Sequence, residues 1–152
     1  MKFKVLLITA VLSLCSNASF AANWEYVGKT EYFNFYVDNE SINWKGKNVK
    51  CRVMLDLFQP DINHQLIDKK YFNSVISLWR LDNEKQRVWI LSATQYSGKK
   101  GGGDIIASEN LHSIEENILD MTPDSVGKAI SDYVIQHRWN KEEPSTSTDI
   151  TQ

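Results

Sequence analysis

The segment NVKCRVMLDLFQ, residues 48–59, constrains this chain more than any other. In it Val49, Cys51, Val53, Leu55 and Leu57 alternate with Lys50, Arg52, Met54, Asp56 and Phe58. Successive side chains of a strand point to opposite faces, so the first set shares one sheet face, and that set is wholly apolar. The pattern predicts a long strand whose odd-numbered positions face a core. Cys51 is then a small interior hydrophobe, and burial disfavours its thiolate, which argues against a nucleophilic role.

Other segments supply partners for that strand. WEYVG (24–28) and FNFYVD (33–38) are aromatic and β-branched, as strands prefer. Lys45-Gly46-Lys47-Asn48 reads as a turn leading into the long strand. SVISLWRLD (74–82) and QRVWILSATQYS (86–97) read as a hairpin joined through Asn83-Glu84-Lys85. DIIASEN follows Gly101–Gly103 as a last short strand. Pro60 and Asp61 are expected to break the long strand, and Asp68, Lys69 and Lys70 to mark a solvated loop. Elements this close in sequence pair mainly antiparallel, which gives a sheet of about six strands.

One helix follows. Thr122 is placed as its N-cap, Pro123 at its first position and Asp124 in its first turn. Val126, Ala129, Ile130, Tyr133, Val134 and His137 recur at helical spacing and form an apolar stripe, with the end expected near Arg138 or Trp139. The expected fold class is therefore α+β, an antiparallel sheet with a C-terminal helix on one face. Residues 140–152 are polar and aromatic-free and read as a disordered tail.

The N-terminus reads as an export signal. Lys2 and Lys4 precede an apolar run from Val5 to Leu14, and Ser19 and Ala21 are the small residues of a cleavage site between Ala21 and Ala22. The run is too short to span a membrane. Cys15 as a lipidated first residue is the less favoured alternative, because the bulky Leu14 precedes it. Residues 22–139 then form the folded domain. The chain has 17 basic and 19 acidic residues, and removal of Lys2 and Lys4 leaves the remainder more acidic still. Nothing in that balance points to nucleic acid. Without the leader Cys51 is the lone thiol.

No residue set announces chemistry. His64, His112 and His137 lack metal-ligand spacing, and Glu109, Glu115 and Glu116 around His112 read as a solvated loop. No G-x-S-x-G elbow is present. Neither catalytic residues, metal nor cofactor are expected. Ser97–Gly103, with Lys99 and Lys100, is out of order for a phosphate loop and reads as a mobile hairpin tip suited to an acidic partner. On the strand from Gln86, Val88, Ile90, Ser92 and Thr94 are assigned to one face, and Trp89, Leu91 and Ala93 to the other. Both faces begin apolar, so Trp89 is placed at a partner surface or a homodimer contact, unless the loop 59–73 covers it.

The order of these features resembles the surface-adhesin protein E family. Trp24–Val27 opens the domain, Phe35–Asp38 precedes Ser41-Ile42, a charged strand follows Gly46, Gln95–Ser97 precedes the glycine turn, and Met121–Val126 opens the helix. The resemblance implies a small exported or lipid-anchored envelope protein of a Gram-negative bacterium. It also implies a role in virulence through binding host extracellular-matrix proteins, not in catalysis. The chain departs from the family in three ways. LWRLDNE and SDYVIQHR lack the cysteine pair that members often carry, Ile118 stands where a tryptophan is common, and the lipidation signal is weak. The alternatives to adhesion are a periplasmic hydrolase and a periplasmic structural or inhibitory protein.

Overall fold

The computed structural model describes residues 22–62, 70–111 and 118–142. The expected leader, residues 1–21, His64 with its neighbours, His112 with Glu115 and Glu116, and residues 143–152 of the expected tail lie outside the described residues. Eight strands and one long helix follow in order: β1 (Trp24–Lys29), β2 (Phe33–Asp38), β3 (Asn43–Lys45), β4 (Asn48–Ile62), β5 (Tyr71–Asp82), β6 (Arg87–Tyr96), β7 (Ile105–Asn110), β8 (Ile118–Asp120) and α1 (Val126–Glu142). The strands form a single antiparallel sheet in the order β1-β2-β4-β5-β6-β7, with β3 added beside β4 and β8 beside β6.

The alternation of β4 sets the core. Val49, Cys51 and Val53 are fully buried against Val37 of β2, Trp79 and Leu81 of β5, and Val88 of β6. Helix α1 covers this face with Ile130 and Val134. Gly127 lets the helix come close, since a Cβ there would stand 3.1 Å from Val88 Cγ2. Polar contacts fix the docking: Tyr133 Oη donates to Asn39 Oδ1 (2.6 Å), and Ser131 Oγ donates to Asn83 Oδ1 (2.7 Å).

The helix begins later than expected. Thr122–Asp124 form a turn in which Asp124 takes a φ of 64°, and Ser125 is the cap. Its Oγ accepts from the Lys128 amide at 3.1 Å and its carbonyl from the Ala129 amide. The helix continues to Glu142, past the expected end near Arg138 or Trp139, so residues 140–142 are helical and not part of the expected tail.

Pro60 does not end β4. Pairing with β5 runs from Asn48↔Asp82 to Asp56↔Ser74 and resumes at Asp61↔Phe72, so residues 57–60 arch away from β5. Pro60 sits in that arch, where its missing N–H costs no ladder bond. Both sides of the expected loop are thereby strand, and β8 is a further strand too short for periodicity to reveal. A bulge then alters the face assignment on β6. Trp79 pairs with Ile90 but Leu78 with Ser92, leaving Leu91 as the extra residue. Beyond it Ser92 and Thr94 move to the face of Leu78 and Ile76, and Ala93 joins Ser77 on the helix side.

The glycine segment joins β6 to β7 and is folded back onto the second face of the sheet. The Lys100 amide donates to Asp56 Oδ1 (2.9 Å), and the Gly101 amide to Ser74 Oγ, which itself donates to the Gly98 carbonyl. Gly101 has a φ of 73°, and a Cβ there would lie 2.6 Å from Ile76 Cδ1, so the position needs glycine on both counts. This docking buries Asp56 and Ser74, which alternation alone would leave on an open face.

Candidate functional site

The arch in β4 creates a concavity at one end of the sheet. Phe58 donates its amide to the Tyr32 carbonyl (2.9 Å), which ties the arch to the turn before β2. Between them lies an open groove of about 570 Å³, walled by Phe33, Leu57, Phe58, Pro60 and Phe72. Two exposed aromatics line it, Tyr32 at 68 % and Phe58 at 44 % exposure. Large apolar side chains held in solvent around one concavity are the usual mark of a partner surface. The polar groups of the wall are Glu31, Gln59 and Asp61, and no pair among them combines a nucleophile with a base. Among the described residues no three His, Cys, Asp or Glu side chains stand close enough to hold a metal.

Cys51 is fully buried, as its place in the alternation requires. Burial, with a further push from the Asp38 carboxylate, raises its thiol to about 12. The sign follows directly: the native state keeps the proton that the unfolded chain releases near 9.0, so the native state loses stability as pH rises from 9.0 to about 12. At pH 8 Cys51 is expected to resist a thiol reagent such as dithionitrobenzoate for as long as the domain is folded, and to react fully in guanidinium. Labelling of native protein within minutes would place the thiol in an accessible site.

Burial raises Tyr133 above its ordinary value, with a further push from the Glu25 carboxylate. His137 stacks on Tyr133 with ring centroids 6.1 Å apart, a packing role on the helix stripe.

The structure separates the residues that the sequence singled out. Lys99 and Lys100 are exposed on the docked glycine turn, with Lys100 Nζ 5.7 Å from the centre of the Tyr36 ring. The amides around them are already engaged. Those of Lys100 and Gly101 go to side chains of the sheet, and that of Gly102 to the Lys99 carbonyl. Trp89 lies toward the other end of β6, only 7 % exposed, with the Arg80 guanidinium 4.4 Å above its ring. It reaches solvent through Arg80 and not through its own ring. Ala22 is half-buried at the start of the described residues, just before β1.

Sequence reasoning missed the aromatic groove. Its one legible signal was Phe58, an aromatic on the side of the alternating strand that carries Lys50, Arg52 and Asp56.

The family described as surface-adhesin protein E matches residues 24–134. Among solved structures, the chain is similar to protein E from non-typeable Haemophilus influenzae, with a TM-score of 0.54 and 18 % identity over 78 % of this chain and 80 % of that one. A second structure of Haemophilus influenzae protein E gives 0.54 and 19 % identity over 78 % of this chain and 89 % of that one. At that identity the likeness is one of fold. No curated protein matches the chain by sequence.

Proposed function

The chain belongs to the surface-adhesin protein E family, and from that premise we propose that it is an exported envelope protein that binds host extracellular-matrix proteins without catalysing a reaction. The observation that carries this reading is the solvent-open aromatic groove between β2, β4 and β5, which has the shape and surface to receive an apolar side chain of a protein partner. Lys99 and Lys100, exposed on the opposite face, supply a second contact for acidic stretches of such a partner. Export follows from residues 1–21 acting as a leader cut between Ala21 and Ala22.

The test is a double variant, Tyr32→Ser and Phe58→Ser, titrated against immobilised matrix proteins beside the parent. Both side chains are exposed, so the melting temperature is expected to hold. Binding is expected to weaken roughly thirtyfold or more, the loss of about 2 kcal/mol typical of a contact hot spot. Unchanged binding would remove the groove from the adhesion surface. Protease treatment of intact cells tests the exposed location; a protein left untouched would favour a structural or inhibitory role in the periplasm. Sedimentation of parent and variant, run alongside, separates partner capture from a homodimer made through the same aromatics.

A further inference from the structure

On the second face of the sheet, at the end away from the glycine turn, one row of paired positions runs Asn43, Lys50, Arg80 and Trp89 across β3, β4, β5 and β6. In the next row Lys45 pairs with Asn48. Asn43, Lys45, Asn48, Lys50 and Arg80 together line a cleft of about 580 Å³.

Three features of this cleft point to an anionic occupant. Lys50 stands directly opposite Arg80, a like-charge cross-strand pair that opposes folding unless an anion offsets it. The ion pairs of the described residues join Lys47 to Glu84, Arg52 to Asp38 and Lys128 to Asp132, and none includes Lys45, Lys50 or Arg80. The carboxylate in the adjoining row, Asp82, already has its Oδ1 accepting the amides of Glu84 and Lys85. This excess of cations is local, because the chain as a whole has a net charge of −2.

Arg80 is also held ready. Its guanidinium lies over the buried Trp89 ring, and its Nε is buried without an acceptor among the described residues. A stacked guanidinium keeps its planar fork for an oxyanion and has little rotamer freedom left to lose. Every lining side chain is polar, which leaves no aromatic to stack a nucleobase and no apolar group to enter a bilayer. Two side-chain amides set among three cations suit a ligand that carries both hydroxyls and oxyanions. We propose that this cleft binds a sulfated or phosphorylated saccharide, with its oxyanions on Lys45, Lys50 and Arg80 and its hydroxyls on Asn43 and Asn48. The proposal is independent of the aromatic groove and of the partner assigned to it.

Calorimetric titration with a heparin hexasaccharide and with a phosphorylated mannose oligosaccharide of equal length tests it. Binding of either supports the proposal, and the tighter of the two identifies the oxyanion. Affinity is expected to fall with salt, and Lys50→Gln and Arg80→Gln each to weaken it roughly tenfold, the loss of one charge-assisted contact. Lys29→Gln with Lys70→Gln removes two exposed charges elsewhere and is expected to leave affinity unchanged. Lys50→Glu guards against misfolding: it is expected to abolish binding with a melting temperature at or above the parent's, because it ends the repulsion with Arg80. The proposal is overturned if neither oligosaccharide binds, or if the Lys29 and Lys70 changes weaken binding as much as those at Lys50 and Arg80. Equal or tighter binding to phosphatidylglycerol vesicles, in place of the free saccharides, would overturn it as well.

Discussion

Arg52→Met is expected to destabilise the domain by about 3 kcal/mol, a large share of the roughly 5–15 kcal/mol that holds a domain of this kind together. Asp38, at the end of β2, is 1 % exposed. Its Oδ2 accepts from Nε (3.0 Å) and Nη2 of Arg52, and its Oδ1 from the amides of Asn23 (2.9 Å) and Glu40 (3.2 Å). Removing the guanidinium leaves a carboxylate out of water with two backbone donors and no counter-charge. The low end of the 3–5 kcal/mol range for breaking a buried pair applies, because the Arg52 side chain is itself 43 % exposed. Replacing both partners by apolar residues is not expected to restore the parent's stability, since the Asn23 and Glu40 amides would then lose their acceptor. Urea unfolding of the two single variants and the double variant checks this. A change below 1 kcal/mol for Arg52→Met would mean that water replaces the guanidinium at Asp38.

Trp79→Ala is expected to cost about 3–5 kcal/mol, the range for emptying a large aromatic site in a core. Trp79 is buried at the centre of β5, opposite Cys51 on β4 and Ile90 on β6. Its Nε1 donates to Ser77 Oγ at 2.7 Å, so the variant loses a buried hydrogen bond as well as volume. Trp79→Phe keeps most of the packing and loses the bond, and is expected to fall between parent and alanine. Trp44→Ala is the comparison, because Trp44 is only partly buried, under Arg138 at the rim of the core. Thermal unfolding followed by near-ultraviolet circular dichroism reads all three. Equal losses at positions 79 and 44 would show that the core is not centred on β5.

Much of this architecture was legible because it depends on local periodicity. Val49, Cys51, Val53 and Leu55 of β4 faced the core as alternation demanded, and Ile130 and Val134 completed the helix stripe. What escaped the sequence depends on contacts distant along the chain. Pro60 argued for a break, but whether a proline breaks a strand depends on whether a neighbour needs its N–H, and the arch removes that need. Leu91 slips the faces of β6 because β5 is one residue shorter across the bulge, which no pattern within β6 records. The glycine turn looked free because its anchors, Asp56 and Ser74, are 44 and 27 residues away. Of the candidate sites the sequence offered residue types and not placement. Trp89 was singled out, but its ring lies beneath Arg80, and Lys50 became notable only once β5 set Arg80 opposite it.

The sheet order has a consequence for how the molecule is made. Apart from β3 and β8, which attach at the sides, each strand pairs with the one that precedes it along the path β1-β2-β4-β5-β6-β7. Hairpins of this kind close over short loops, at small cost in chain entropy, in the order in which the chain emerges. Helix α1 comes last, and it alone among the described elements lays Ile130 and Val134 over Val49, Cys51 and Val53. A chain halted before Val126 would therefore have its hairpins formed and its greasy side bare. Because synthesis runs from the N-terminus, the final turns of helix become the step that converts a sticky ribbon into a finished domain.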